Sequence, residues 1–314
     1  MTATSFRVSV VIPVYNAENF LHRAVDSALM QPEVAEILLI EDGSADNSLA
    51  ICRELEKNHT IVKLLIHENN TNRGPGITRN KGIENASCEY LAFLDADDFY
   101  LENRFANTQV TFDDKSIDGV YEVIGVSYDS EEMKEKHLER MRNNKKNMTA
   151  TNQPLDHTGI DAEIAPEELF YKLLTVENGW LHLNGITIRR ARINDMPWFN
   201  DNFLGQDSEF LTRLAAKKRL TGTGHYDPVA IRYVHKDNRI LKSGNKKRNR
   251  TAMNNGYWLK YCIDNKIYGK EVIYLLKRVS DTNGKLKKAL LLGKNSIKTL
   301  TAIIGIRKTE QLNF

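Results

Sequence analysis

Asp95, Asp97 and Asp98 stand together in Leu94-Asp-Ala-Asp-Asp98, directly after the apolar run Tyr90-Leu-Ala-Phe93. Carboxylates this close repel one another and raise each other's proton affinity unless a cation or hydrogen-bond donors compensate. A hard divalent ion with oxygen ligands, Mg²⁺ or Mn²⁺, is the natural compensator, and such ions commonly accompany substrate phosphates. Taken alone, the cluster is equally consistent with a solvated turn or a helix N-cap. The elements that carry it decide between these readings.

Val8-Ser-Val-Val-Ile-Pro-Val14 is a β-branched run ended by turn residues, and Phe20, Leu21, Ala24, Val25, Ala28 and Leu29 follow at helical spacing. Residues 36–40 read as a second strand stopping at Glu41-Asp-Gly-Ser44, after which Leu49, Ile51, Cys52 and Leu55 mark another helix. A third strand is expected over 61–66, a helix over 76–86 and a fourth strand over 89–94. Alternating strands and helices, with nearly continuous apolar strands, predict an α/β fold whose parallel sheet is covered on both faces. In such sheets ligands bind outside the carboxyl ends of the strands. Pro13 and Tyr15, Glu41 and Asp42, and Asp95 and Asp97 all fall at such ends.

Residues 129–158 are polar and charged, and read as a mobile excursion with one exposed helix over 130–142. A helix with Pro in its first turn is expected over 166–174, a short strand over 184–188 and a helix over 207–216. Basic helical segments follow Lys246. The expected division is one domain over 1–245, with halves at 1–120 and 160–245, followed by a basic helical extension over 246–314.

The 314 residues, 41% of them hydrophobic, suffice for one large domain or two smaller ones with a real core. Three widely spaced cysteines without CxxC spacing argue against a disulfide framework or a zinc site. The start carries no charged-then-apolar leader, so a cytoplasmic location is expected. No apolar run approaches the roughly 18 residues of a membrane span. The net charge of +3 conceals an asymmetry: from Lys246 onward 16 Lys and Arg face 4 Asp and Glu, and the rest of the chain carries 28 against 37. Such a tail is either a solvated helical face or a module that meets an anionic surface, lipid headgroups or nucleic acid. Nucleic acid is disfavoured, because basic and aromatic residues do not interleave in a recognisable module. Leu286, Ala289, Leu290, Ile297, Leu300 and Ile304 recur near helical spacing beside several lysines, a pattern suited to the inner face of a membrane.

Neither a GxGxxG nor a GxxxxGK[ST] loop follows the first strand, which disfavours a hydride-transfer enzyme and a P-loop enzyme. A nucleotide can still bind, with Tyr15 flanking a base and Glu41 or Asp42 accepting from its edge and ribose.

Val10-Val-Ile-Pro-Val-Tyr-Asn16, Ile40-Glu-Asp-Gly-Ser-Ala-Asp46, Asn72-Arg-Gly74 with Thr78-Arg-Asn-Lys-Gly82, and Phe93-Leu-Asp-Ala-Asp-Asp98 occur in that order. Together they resemble the signature of the family 2 inverting glycosyltransferases, which have the glycosyltransferase A-type nucleotide-diphosphosugar fold. The resemblance covers roughly the first 100 residues closely, with weaker matches through His235. It implies transfer of a hexose-type sugar from a nucleotide donor, commonly a UDP-sugar, with inversion, and a Mn²⁺ or Mg²⁺ cofactor. It places the nucleotide against Pro13, Tyr15 and Glu41 or Asp42, Arg79 near the diphosphate, Asp95 at the ribose and Asp97 on the metal. Glu41 departs from the Asp of many relatives. Asp207, in Leu204-Gly-Gln-Asp-Ser-Glu209, matches the family's catalytic aspartate; its other reading is a helix cap. Gln206 replaces an acid there, which leaves Glu209 as the near acidic neighbour. His235 matches a histidine that completes the metal or diphosphate site, and an imidazole suits Mn²⁺ better than Mg²⁺. Trp180, His182 and Asn184 are candidates to line the acceptor cleft, or else core.

The expected function is metal-dependent glycosyl transfer onto a bacterial surface polysaccharide or a lipid-linked glycan. The alternative is a nonenzymatic sugar-nucleotide or glycan-binding protein on a degenerate copy of the fold.

Overall fold

The computed structural model describes residues 6–145, 157–158, 163–175, 179–201, 205–238 and 247–282. Its first part alternates β1 (Val8–Val14), α1 (Leu21–Leu29), β2 (Val34–Glu41), α2 (Ser48–Asn58), β3 (Val62–Ile66), α3 (Pro75–Asn85) and β4 (Tyr90–Phe93). There follow β5 (Phe99–Tyr100), α4 (Ala106–Thr111), β6 (Gly119–Tyr121), β7 (Ile124–Tyr128), α5 (Glu131–Lys145) and β8 (His157–Thr158). The later elements are α6 (Pro166–Thr175), β9 (Ile186–Arg189), α7 (Gln206–Lys217), β10 (Leu220–Gly222) and β11 (Ala230–Val234).

A seven-stranded sheet runs in the order β10-β6-β9-β4-β1-β2-β3. β1 pairs in parallel with both β2 and β4, in the register Pro13 to Ile40 and Val11 to Phe93. Every apolar residue of β1 except Pro13 is buried. Val8, Val10, Ile12 and Val14 join one core with α1 and α2, as the period of two requires. Val11 points to the other face, under α3. There Gly82 lets the helix lie directly on the sheet, since a Cβ at that position would come within 2.4 Å of the Val11 side chain. Each fully buried Val, Leu or Ile contributes about 1.5–3 kcal/mol, so these two faces dominate the stability of the sheet.

The sheet is mostly parallel, as the sequence predicts, with one departure. β9 runs antiparallel to both of its neighbours, β4 and β6. A second sheet, β5-β11-β7-β8, brings β11 beside the Asp95–Asp98 loop. Within the expected excursion after Asp129, α5 buries Met133 and His137, and β8 pairs with β7.

Two compact units divide the chain, Met1–Lys236 and Asp237–Phe314. Within the second, helices Lys247–Asp264 and Lys270–Thr282 pack on each other around Trp258, Leu259, Cys262 and Leu275. The amphipathic positions Leu286 to Ile304 lie outside the described residues. No helix among the described residues is long and apolar enough to cross a membrane.

Candidate functional site

The turns after β1 and β2 are stitched into one rim. Asn16, with φ +50°, accepts from the Ala45 amide at 2.8 Å and donates its own amide to Ser44 Oγ at 3.0 Å. Ala17 N donates to Ser48 Oγ at 2.8 Å, and Glu18 N to Asp46 Oδ2 at 3.1 Å. Tyr15 stands on this rim, 43% exposed. Glu41 is fully buried, and its carboxylate accepts the amides of Gly43 at 3.0 Å and Ser44 at 2.6 Å. It therefore shapes the turn. Asp42 accepts the amides of Arg73 at 2.6 Å and Gly74 at 3.1 Å, which explains why an Asn-Arg-Gly segment follows β3. His67 lies 3.7 Å from Asp42 and 3.1 Å from Thr78 Oγ1; burial holds its imidazole below the ordinary value, with Asp42 opposing.

The carboxylates after β4 have separate partners. Asp95 pairs through Oδ1 with Arg79 Nη2. Arg79 projects from α3 and is only 4% exposed, yet its Nε and Nη1 are buried without a hydrogen-bond partner. Asp98 is buried, accepting from the Tyr233 amide at 2.7 Å and from Asn184 Nδ2 at 2.6 Å. Burial foremost, then the neighbouring Asp97 and Asp95, pushes its carboxyl well above the usual range. Asp97 meets His235, whose Nε2 lies 3.1 Å from Asp97 Oδ2. That imidazole packs 4.4 Å from the Phe20 ring, and Arg23 donates to the Asp97 carbonyl at 3.0 Å while lying over Phe99 and Tyr233.

His182 brings a ring nitrogen within 4.8 Å of Asp95 and Asp98 carboxylate oxygens. Its Nδ1 accepts the Asn184 amide at 3.3 Å, so in the neutral ring the proton is on Nε2. Burial first and Arg232 second push it down to about 4, against the pull of Asp95 and Asp207. Asp207 lies in the first turn of α7, where the helix dipole favours a carboxylate, and among the described residues it makes no hydrogen bond. Glu209 is committed elsewhere, in a two-pronged pair with Arg213 at 2.8 and 2.9 Å. The start of α7 is fixed by Phe199, which stacks on Phe210 at 4.2 Å, lies 5.5 Å below the Arg79 guanidinium and is gripped at both backbone polar groups by Asn80.

Pro13, Tyr15, Glu41, Asp42, Arg79, Asp95, Asp97 and His235 thus gather at the carboxyl ends of β1, β2 and β4, and the charges of Asp95 and Asp207 both act on His182. Asn184 is not a cleft residue. It is fully buried, accepts the Asp95 amide at 3.1 Å and anchors Asp98. The anchoring by Asn184 and the Arg23 contacts went unread in the sequence, for lack of any periodic signal. Asp97 with His235 offers a cation one oxygen and one nitrogen donor. Asp95, Asp98 and His182 also bring ligand atoms within 4.8 Å of one another. Asp98 already accepts two hydrogen bonds, Asp95 is paired with an arginine, and Asp97 with His235.

Carboxylates and a buried, half-satisfied arginine stand at the carboxyl ends of the strands in a doubly wound α/β architecture. Solved structures share it. The residue 1–349 fragment of S. aureus TarS, in complex with UDP-GlcNAc, superposes with TM-score 0.59 over 96% of this chain and 79% of that one, at 17% identity. A mannosyltransferase from Pyrobaculum calidifontis, in complex with GDP-Man and Mn²⁺, does so with TM-score 0.53 over 96% and 84%, at 15% identity. The chain belongs to glycosyl transferase family 2, whose sequence model matches residues 9–166. An uncharacterized glycosyltransferase of Haemophilus influenzae is 40% identical over 98 residues, 31% of this chain and 38% of its own length. The minor teichoic acid biosynthesis protein GgaA of Bacillus subtilis is 37% identical over 102 residues, 30% of this chain and 22% of its own. The matches thus span well under half the length of these curated relatives.

Proposed function

We propose that this protein transfers a sugar from a nucleotide-diphosphate donor, with a UDP-sugar as the first candidate, to a glycan acceptor with inversion. One observation carries the reading: the buried Arg79 guanidinium, held by Asp95 through one arm, keeps two nitrogens, Nε and Nη1, without a partner. An unsatisfied buried cation is costly, and a diphosphate supplies the missing acceptors. Tyr15, Pro13 and Asp42 border the position of the nucleoside. Asp97 and His235 would hold a divalent ion, which when bound neutralises charge on the leaving diphosphate.

In a single displacement, the acceptor hydroxyl oxygen forms its bond to the anomeric carbon as the bond from that carbon to the diphosphate oxygen breaks. Asp207 takes the hydroxyl proton, and the nucleoside diphosphate leaves. Relatives named for teichoic acid and polysaccharide synthesis support a cell-surface glycan as product. The basic extension fits docking on an anionic membrane face, which vesicle sedimentation of the full chain at low and high salt tests.

Hydrolysis and transfer should be measured over a panel of UDP- and GDP-sugars, with Mn²⁺ and with a chelator. One donor is expected to be turned over, to a product of opposite anomeric configuration by NMR. Retention of configuration, or no binding of any nucleotide diphosphate, overturns the reading.

A further inference from the structure

We propose that Arg232 receives a phosphate group carried by the acceptor. This inference rests on the glycosyl-transfer reading above and deepens it by naming a substrate class.

Arg232 lies on β11, paired across to Val126, one residue before Tyr233, whose amide holds Asp98. Side chains alternate along a strand. Tyr233 and His235 share one face, stacking on each other and on Phe20, and there His235 meets Asp97. Arg232 is therefore directed to the other face, away from the Asp97–His235 pair. Its positive charge bears on Asp98 and on His182, the group that links the acidic cluster to Asp207.

Arg232 is half-buried, and among the described residues its guanidinium makes neither a hydrogen bond nor an ion pair. Nearby carboxylates do not claim it: Asp98 is held by Asn184 and the Tyr233 amide, and Asp95 by Arg79. A planar fork of donors left open on the strand that holds Asp98 fits a phosphate, which it can engage through two parallel hydrogen bonds. The donor's diphosphate has Arg79, on the α3 side of the cluster. An anion reaching Arg232 and the Nε2 of His182 therefore belongs to the second substrate, either a phosphopolyol chain or a lipid phosphate.

The experiment uses the full chain loaded with UDP and Mn²⁺. Calorimetry compares a glycerol-phosphate hexamer with glycerol, and geranyl phosphate with geraniol, for the wild type, R232Q, R232K and the extension variant K277Q. At least one phosphate ligand should bind better than its neutral analogue. R232Q should weaken it by about 10–100-fold, the scale of a charge-assisted bidentate contact, R232K should recover part of the loss, and K277Q should bind as the wild type does. Preference for the hexamer assigns a phosphopolyol, and preference for geranyl phosphate a lipid phosphate. The proposal is overturned if neither phosphate outbinds its neutral analogue, if R232Q binds like the wild type, if K277Q loses as much, or if R232Q weakens UDP binding to the same degree, which would place Arg232 on the donor. Failure of the wild type to bind UDP would count instead against the donor reading, and the phosphate comparison is then repeated without nucleotide.

Discussion

Asn184→Ala tests whether the acidic loop is positioned by the residue buried beneath it. The amide donates to Asp98 Oδ2 at 2.6 Å, accepts the Asp95 amide at 3.1 Å and is wholly excluded from solvent. Truncation strips a buried carboxyl of one of its two donors and leaves the Asp95 N–H without a partner. Each buried group left unsatisfied costs about 1–3 kcal/mol, so the variant should lose about 2–5 kcal/mol of stability, a large share of the 5–15 typical of a domain. The functional effect follows from the same loop. Outer contacts of a metal site commonly carry about 10–100-fold in metal affinity, and a loss of that order in Mn²⁺-dependent UDP binding is expected. Urea unfolding reads the first quantity and calorimetry the second. A variant within about 0.5 kcal/mol of the wild type, with unchanged UDP and Mn²⁺ affinity, would refute the reasoning, since that is the range of an inconsequential surface change.

Asp97→Asn should abolish metal-dependent UDP binding, because the amide removes the charge that balances a divalent ion; unchanged affinity by calorimetry removes Asp97 from the ligand set. Asp207→Asn should leave donor binding intact and lower turnover by about 10²–10⁴-fold, whereas near-normal turnover would return Asp207 to a helix-terminal role. His67 has a pH signature. Its folded value lies below the ordinary 6.5, so the folded protein binds fewer protons than the unfolded chain, and this stabilisation is present above that value and lost as pH falls through it. His67→Gln should therefore flatten the loss of stability between about pH 7 and pH 5; an identical acid limb in urea titrations would show that His67 contributes nothing there.

The strands that build the site were legible because each is an apolar run stopped by turn residues, and β1 to β4 lie within a residue or two of the expected bounds. Helix α7 begins one residue from its expected start, marked by Gly205 and acidic first-turn residues. Strand direction has no such signal. Alternation along 186–189 reads the same whichever way the strand runs, so the antiparallel seat of β9 depends on partners far away in the chain. Asn184 stayed open between cleft and core for a related reason: a polar residue before an apolar strand fits either until both ends of its amide are found occupied inside the protein. Glu41 matched a nucleotide-binding position by sequence, yet its oxygens are taken up by the two amides that follow it. Local turn bonds of this kind are set by backbone angles, which residue type alone does not specify.

The place of β9 in the sheet also governs the order in which the molecule can be completed. Residues 186–189 fill the gap between β4 and β6 long after both have left the ribosome. Until then Tyr90–Phe93 presents one row of open backbone donors and acceptors, and β6 has no neighbour on that side. A nascent or truncated chain ending at residue 166, where the family match stops, would contain Arg79 and the Asp95–Asp98 cluster and still carry a bare apolar strand edge, the usual template for aggregation. Residues 90–121 and 186–189 thus share one sheet, and a chain cut between them is expected to aggregate rather than to fold as an independent module.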